Sequence, residues 1–437
     1  MTRGNEYLAV VPRHRPLPSL GRRDLADATL RGQGRRTGRR IALYSHDTQG
    51  LGHIRRNTLL AAAMVAADPE VDVLLISGAR EASALPLPER TDLVVLPELA
   101  KDAHGGYSAR ASDHLLDDVV AARSAALTQV LAAYAPHLLV VDKVSRGFGG
   151  ELEPALRHVR SEHGTRTVLG LRDVLDDVAT SRREWEESRT PEAIRTLYDQ
   201  VWVYGDPTIF DPAVEYGWSA AVCAKVRYTG YLGAGRERIL PVGAGSAMAP
   251  AASRRLTAPF VLGLIGGGQD GAAVADAFAR AVFPPGHEGL LVTGPYLPVS
   301  DLERLLLVAS DRGDLRVHRF VSDVPALARA SRATISMGGY NSVCELIAGC
   351  RPTLIVPRMA PRREQAMRAE HFAGHGLLDV LSFEDLGPDL VTQWLSAAVL
   401  RPDRPSPPID LHGLRKVPAL VTELLGSSVE SGVQGVG

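Results

Sequence analysis

The chain has 437 residues, 45 % of them apolar and 23 % charged, and its 49 Lys and Arg against 50 Asp and Glu leave a formal net charge of −1. That length exceeds one ordinary hydrophobic core and predicts two or three domains. The balanced charge gives no electrostatic reason for nucleic acid as the main partner, and no apolar stretch approaches the roughly 20 residues of a bilayer span.

Residues 1–38 carry many arginines, several prolines and glycines and no sustained periodicity, which predicts a disordered basic tail. Leu8-Ala9-Val10-Val11 is too short for the apolar region of a signal peptide. A membrane-surface or partner-binding arm is the minor alternative for this tail. Cys223, Cys344 and Cys350 form no Cys-x-x-Cys pair, so a zinc site or disulfide framework is not expected. The pattern fits a reducing, cytoplasmic setting.

Ile41-Ala42-Leu43-Tyr44 reads as a buried strand, followed by the loop Ser45 to His53 and a helix with Ile54, Leu59, Leu60, Ala63 and Met64 on its apolar side. Further strands are predicted at 71–77, 93–97, 137–142, 167–171 and 200–205, with a helix over 113–134. Residues 233–258, rich in Gly, Ala, Pro and Ser, read as a linker. A second alternating series places strands at 260–265, 289–294, 315–320, 333–336 and 353–357, then a helical tail over 385–425. The expected domains are 39–235 and 258–425, joined by 236–257, with a loose end at 426–437. Strands alternating with helices in each half predict an α/β fold of two Rossmann-like, doubly wound parallel sheets, with ligands at the carboxyl ends of the strands.

The most informative segment is Ser336-Met337-Gly338-Gly339-Tyr340-Asn341-Ser342-Val343-Cys344-Glu345-Leu346, between a strand and a helix. Its glycines let the backbone approach a ligand, and the helix N-terminus offers unpaired N–H groups to a diphosphate. Ser342 and Glu345 share a helix face, so Glu345 is placed to accept hydrogen bonds from a ribose diol. The same pair also satisfies a capping box, which would only start a helix. After the next strand comes Arg358-Met359-Ala360-Pro361-Arg362-Arg363-Glu364-Gln365. Its arginines either meet phosphate charge or form a solvated helix entry.

Gly339-Tyr340-Asn341-Ser342-x-x-Glu345, Gly349-x-x-Pro352, Pro357 and Glu364-Gln365 together resemble the donor-binding signature of GT-B glycosyltransferases. They are similar to both the small-molecule UDP-glycosyltransferases and the peptidoglycan N-acetylglucosaminyltransferase group. The resemblance implies the two-domain GT-B fold, with the acceptor on the N-terminal half and a nucleotide sugar on the C-terminal half. It assigns the ribose to Glu345, the diphosphate to Gly338 through Ser342, and the donor sugar to Glu364 and Gln365, with Arg362 nearby. Met337 stands where the small-molecule group has a phosphate-binding histidine. Gly267, Gly268 and Gln269 correspond to a glycine-rich turn facing the diphosphate, and Phe320 and Val321 to the segment that contacts the base.

Thr48-Gln49-Gly50-Leu51-Gly52-His53 corresponds to the glycine-rich loop ending in Gly-His of the peptidoglycan group. His53 is a candidate general base or orienting donor, since imidazole titrates near neutrality, an exposed residue at a helix start being the alternative. Asp142 and Asp173 each follow a strand end and are candidates to act as base or to pair with His53, helix capping being the alternative. The resemblance implies an inverting, metal-independent transfer from a nucleoside-diphosphate sugar, with UDP expected, to a small-molecule, lipid-linked or glycan acceptor. No cofactor is expected, the nucleotide sugar being a substrate. The alternatives are a nucleotide-sugar epimerase of the same architecture and a non-catalytic nucleotide-sugar-binding protein. A dehydrogenase is disfavoured, because neither half has a clean Gly-x-Gly-x-x-Gly between strand and helix with an acidic residue at the end of the next strand.

Overall fold

A computed structural model describes residues 38–46, 51–101, 107–109, 116–236, 258–267, 270–321 and 323–426. The expected N-terminal tail up to residue 37, the linker from residue 237, the end from residue 427, and Gly268 and Gln269 lie outside these residues.

In the first half the apolar runs form β1 (Arg40–Ser45), β2 (Asp72–Ser77), β3 (Thr91–Val95), a hairpin of β4 (Leu99–Lys101) and β5 (Tyr107–Ala109), β6 (Leu138–Asp142), β7 (Arg166–Arg172), β8 (Gln200–Tyr204) and β9 (Val226–Tyr228). The helices between them are α1 (Gly52–Ala67), α2 (Leu116–Tyr134), α3 (Glu153–His163), α4 (Val178–Glu187) and α5 (Thr190–Leu197). The second half contains β10 (Phe260–Leu264), α6 (Ala272–Arg280), β11 (Glu288–Val292), α7 (Val299–Ser310), β12 (Leu315–His318), α8 (Val324–Ala330), β13 (Thr334–Ser336), α9 (Tyr340–Ala348), β14 (Thr353–Ile355), α10 (Glu364–Gly374), β15 (Asp379–Val380), α11 (Pro388–Ala398) and α12 (Gly413–Gly426).

Among the described residues the first sheet runs β3-β2-β1-β6-β7-β8-β9 and the second β12-β11-β10-β13-β14-β15. Every pairing in both is parallel. β1, β6, β8, β10 and β11 are buried along almost their whole length, as expected where helices cover both faces. Parallel neighbours need a crossover, and helices supply it.

Strand order locates the ligand crevice. In the first sheet the order reverses between β1 and β6; in the second, between β10 and β13. Ligands bind outside the carboxyl ends of strands at such switch points. Those ends carry His53 and Asp142 in one half and Gly266 and Gly338–Ser342 in the other.

The expected helical tail over 385–425 is two helices. Pro402, Pro405, Pro407 and Pro408 separate them, because proline cannot donate to a helix ladder. The second, α12, turns back onto the first half. Its Leu414, Val417, Val421 and Leu424 are buried in one cluster with Ile54 and Leu59 of α1 and Leu346 of α9. The backbone ties the same seam, since Tyr231 N donates to Asp410 O at 2.7 Å and Gly413 N to Tyr231 O at 3.0 Å.

Candidate active site

α9 begins at Tyr340 with Gly339 as its N-cap, and no side chain caps it. Ser342 and Glu345 therefore lie inside the helix, so the pair is not a capping box, which would need Ser342 at the cap. The first turn of α9 keeps its N–H groups and the positive end of the helix dipole for an anion. Gly338 shapes the approach. Its φ is +85°, and a Cβ there would sit 2.7 Å from Ile355 Cγ2. Gly338→Ala should cost about 1–3 kcal/mol and weaken nucleotide binding, read from denaturation and from titration with nucleotide. An unaltered midpoint would show that the turn tolerates a side chain.

The loop after β10 faces this turn. Gly266, at φ +66°, lies with its missing Cβ 3.9 Å from Ser342 Oγ, and Tyr296 N donates to Gly267 O at 2.9 Å. Met337 is 8 % exposed and belongs to the core cluster with Ile265. Its thioether supports the loop from below instead of replacing a histidine at the phosphates. Phe320 is 63 % exposed, while Val321 packs at the margin of the core.

On the opposite wall α1 opens at Gly52, whose carbonyl accepts a hydrogen bond from Asn341 Nδ2 at 2.9 Å. The next residue, His53, places Nδ1 3.0 Å from Asp142 Oδ2. Arg56, one turn further on, donates to both Asp142 oxygens, at 2.5 Å to Oδ1. Arg56 Nη2 also lies 3.1 Å from His53 Nδ1. One ring nitrogen cannot donate to Asp142 and accept from Arg56. Arg56 has its closer partners on the carboxylate, so the proton is assigned to Nδ1, leaving Nε2 as the acceptor.

Burial lowers the His53 pKa and outweighs the raising effect of Asp142, so the ring is neutral near pH 7. Burial alone would raise the Asp142 carboxyl, but Arg56 and His53 overcome it and hold Asp142 well below the usual range. The His46 ring lies tilted against His53, with centroids 5.4 Å apart, and burial together with His53 lowers its pKa. Arg56 stands over the rings of Tyr204 and Tyr340, at 5.8 and 5.7 Å. Tyr340 Oη donates to Tyr204 O at 2.8 Å and so links the two halves.

Asp173 sits elsewhere. It is fully buried, and Arg368 grips it through three contacts of 2.8–3.0 Å. Its carboxylate is spent on an ion pair between the halves. Arg362 is likewise engaged, with Asp176 at 3.1 Å and Glu184 at 2.7 Å, and Arg363 N donates to Asp176 at 2.9 Å. The Arg362 charge is met by these carboxylates, where the sequence left open phosphate contact or a solvated helix entry.

Glu345 is buried and paired with Arg236, and Arg55 approaches at 3.9 Å; both arginines meet Oε1. Glu364 is 3 % exposed. Arg358 donates to its Oε1 at 2.9 Å, whereas Oε2 is buried with no hydrogen-bond partner among the described residues. Gln365 Oε1 accepts from Arg358 N at 3.4 Å. Arg56, Arg236 and Arg368 carry much of this geometry and were not singled out from the sequence. Arg56 had a readable signal, since it stands three residues after His53 and hence on the same helix face.

No family model matches the chain. It is 28 % identical over 194 residues to the UDP-N-acetylglucosamine--N-acetylmuramyl-(pentapeptide) pyrophosphoryl-undecaprenol N-acetylglucosamine transferase of Rhodopseudomonas palustris (strain BisB18). That match covers 42 % of this chain and 48 % of the relative, so the chain spans about half the length of the curated relative it matches. Among solved structures it resembles the calicheamicin glycosyltransferase CalG4, at TM-score 0.56 and 16 % identity over 91 % of this chain and 100 % of the other. It also resembles a putative UDP-N-acetylglucosamine 2-epimerase from Listeria monocytogenes, at TM-score 0.56 and 11 % identity over 92 % of this chain and 99 % of the other. The fold is GT-B: two Rossmann-like parallel-sheet units, as the sequence resemblance implied.

Proposed function

We propose that the chain is a nucleotide-sugar-dependent glycosyltransferase in which His53, oriented by Asp142, deprotonates an acceptor hydroxyl or amine. One observation carries this reading. The Asn341–Gly52 hydrogen bond sets the uncapped N-terminus of α9 directly across from the residue preceding His53. A base and an anion-stabilising helix end thus face the same crevice, as a displacement at an anomeric carbon requires.

In this reading the diphosphate lies at the first turn of α9, and Glu345 Oε2 meets the ribose diol. Glu364 Oε2, buried and unpartnered, accepts from a donor-sugar hydroxyl, beside Gln365. Phe320 offers an exposed ring to the base. The acceptor proton moves to His53 Nε2, and Asp142 stabilises the imidazolium. The acceptor oxygen or nitrogen bonds to the anomeric carbon as the bond to the β-phosphate oxygen breaks. The nucleoside diphosphate leaves with the electron pair, and helix N–H groups receive its charge, so the step needs no metal and inverts the configuration. UDP is the expected carrier, which the name of the bacterial relative supports. Three free cysteines fit a reducing, cytoplasmic setting, and no helix among the described residues is long and apolar enough to cross a membrane.

Thermal-shift titration with UDP, dTDP, GDP and ADP tests the donor site. One nucleotide should stabilise the protein, by about 2.7 kcal/mol at a hundredfold excess over its Kd. The gain should shrink in Glu345→Ala, with Glu364→Gln as a milder partner variant that leaves Arg236 paired. No response to any nucleotide in folded protein would sink the reading. The epimerase-like neighbour keeps a second reading open, and acceptor dependence separates them, because an epimerase converts the nucleotide sugar alone.

A further inference from the structure

Two cations stand at the carboxyl ends of neighbouring strands of the first sheet. Lys143 follows the end of β6, and Arg172 ends β7. Both are half-buried, and among the described residues neither side chain makes a hydrogen bond or an ion pair. Every other guanidinium facing them is engaged. Arg56 holds Asp142, Arg368 holds Asp173, and Arg362 holds Asp176 and Glu184. Glu364, a carboxylate of the second half whose charge acts on both, already pairs with Arg358.

The backbone at Lys143 is also unusual. Its φ is +67°, a left-handed conformation that β-carbon-bearing residues avoid. The turn is held because Lys143 N donates to Gly170 O at 2.9 Å and Val144 N to Asp142 O at 2.8 Å. Asp142 pairs in register with Gly170, so Lys143 and Arg172 stand at the same ends of neighbouring strands, and Lys143 feels the charges of Arg172, Arg362, Glu184 and Glu364. Burial and the charges of Arg172 and Arg362 pull the Lys143 ammonium down to about 7, and burial with Arg56 and Arg368 pulls Arg172 down to about 10. Two like charges held together, desolvated and unpaired, are unfavourable unless an anion completes them.

We propose that Lys143 and Arg172 form an oxyanion subsite on the acceptor side of the crevice, which takes a phosphate or carboxylate carried by the acceptor. The proposal rests on the glycosyltransferase reading for the word acceptor, but not for the subsite. Both residues belong to the first sheet, beside His53 and Asp142, whereas the helix end assigned to the donor diphosphate belongs to the second. An anionic group seated there would place a neighbouring hydroxyl or amine near His53. A neutral acceptor would leave both cations unpaired and would bind less well.

Inorganic phosphate and sulfate, titrated calorimetrically into the full chain with saturating UDP, test the subsite. Binding should persist with UDP present and weaken about ten- to a hundredfold in Lys143→Met and in Arg172→Met, as loss of one charge-assisted partner implies. UDP affinity should stay within about twofold of wild type in both variants. At pH 8 sulfate binding should take up a proton, read from heats in buffers of different ionisation enthalpy, because a bound anion returns Lys143 to its charged form. Sulfate does not titrate in this range, so the proton belongs to the protein.

Displacement of phosphate by UDP, or parallel loss of UDP affinity in the variants, would assign the pair to the donor diphosphate and overturn the acceptor placement. Unchanged phosphate binding in both variants would overturn the subsite itself. If UDP fails to bind wild-type protein, the glycosyltransferase reading falls, while the phosphate titration still decides the subsite. Loss of phosphate binding with a preserved thermal midpoint separates the effect from misfolding.

Discussion

His53→Ala should lower sugar transfer by about 10²- to 10⁴-fold while leaving nucleotide affinity unchanged, since a positioned base contributes that range and His53 touches no part of the donor site in the proposed pose. The base acts only as the neutral ring. Burial sets its pKa below the ordinary imidazole value, so the rate should fall as pH drops through that lowered pKa and stay flat above it near neutrality. Single-turnover rates across pH, beside nucleotide titrations, read both effects. If His53→Ala keeps wild-type kcat, or if it loses UDP affinity in proportion to rate, the base assignment fails. Asp142→Asn is a poorer probe. It removes the counter-charge of Arg56, which is 1 % exposed, and so mixes folding with catalysis.

Asp173→Ala should destabilise the protein by about 3–5 kcal/mol, because Arg368 would remain charged and buried without its partner. The pair joins the first sheet to α10, so the loss should appear in the denaturation midpoint. The double variant Asp173→Leu/Arg368→Met should recover most of it, because a buried ion pair replaced by apolar groups of similar volume is often neutral. Chemical denaturation of the two single variants and the double measures the coupling. A folded Asp173→Ala protein with an unchanged midpoint and a collapsed kcat would return Asp173 to the role of base that its place at a strand end first suggested.

The sheet architecture was readable because each central strand is a short run of apolar residues covered on both faces, and such runs stand out against polar loops. The shortest elements were not. β9, β15 and the β4–β5 hairpin are two or three residues each and carry polar side chains, so no periodicity marks them. The site divided along the same line. His53, Asp142 and the Gly338–Glu345 segment were legible because glycine and polar residues at strand ends have few structural uses. Asp173, Arg362 and Met337 also fit a pattern, but their packing partners lie far along the chain: Arg368 is 195 residues from Asp173, and Asp176 is 186 from Arg362. No local spacing encodes such a contact. Lys143 and Arg172 needed the converse knowledge, that no described residue pairs with either side chain.

The return of α12 onto α1 sets an order of events during synthesis. The first half leaves the ribosome early, with both its sheet and the helix bearing His53. One flank of that helix packs against Leu414, Val417, Val421 and Leu424, which emerge after both sheets are made. The first half therefore cannot bury its own surface when it is made. That flank of the helix bearing His53 stays open for about 180 further residues, until residues 413–426 arrive.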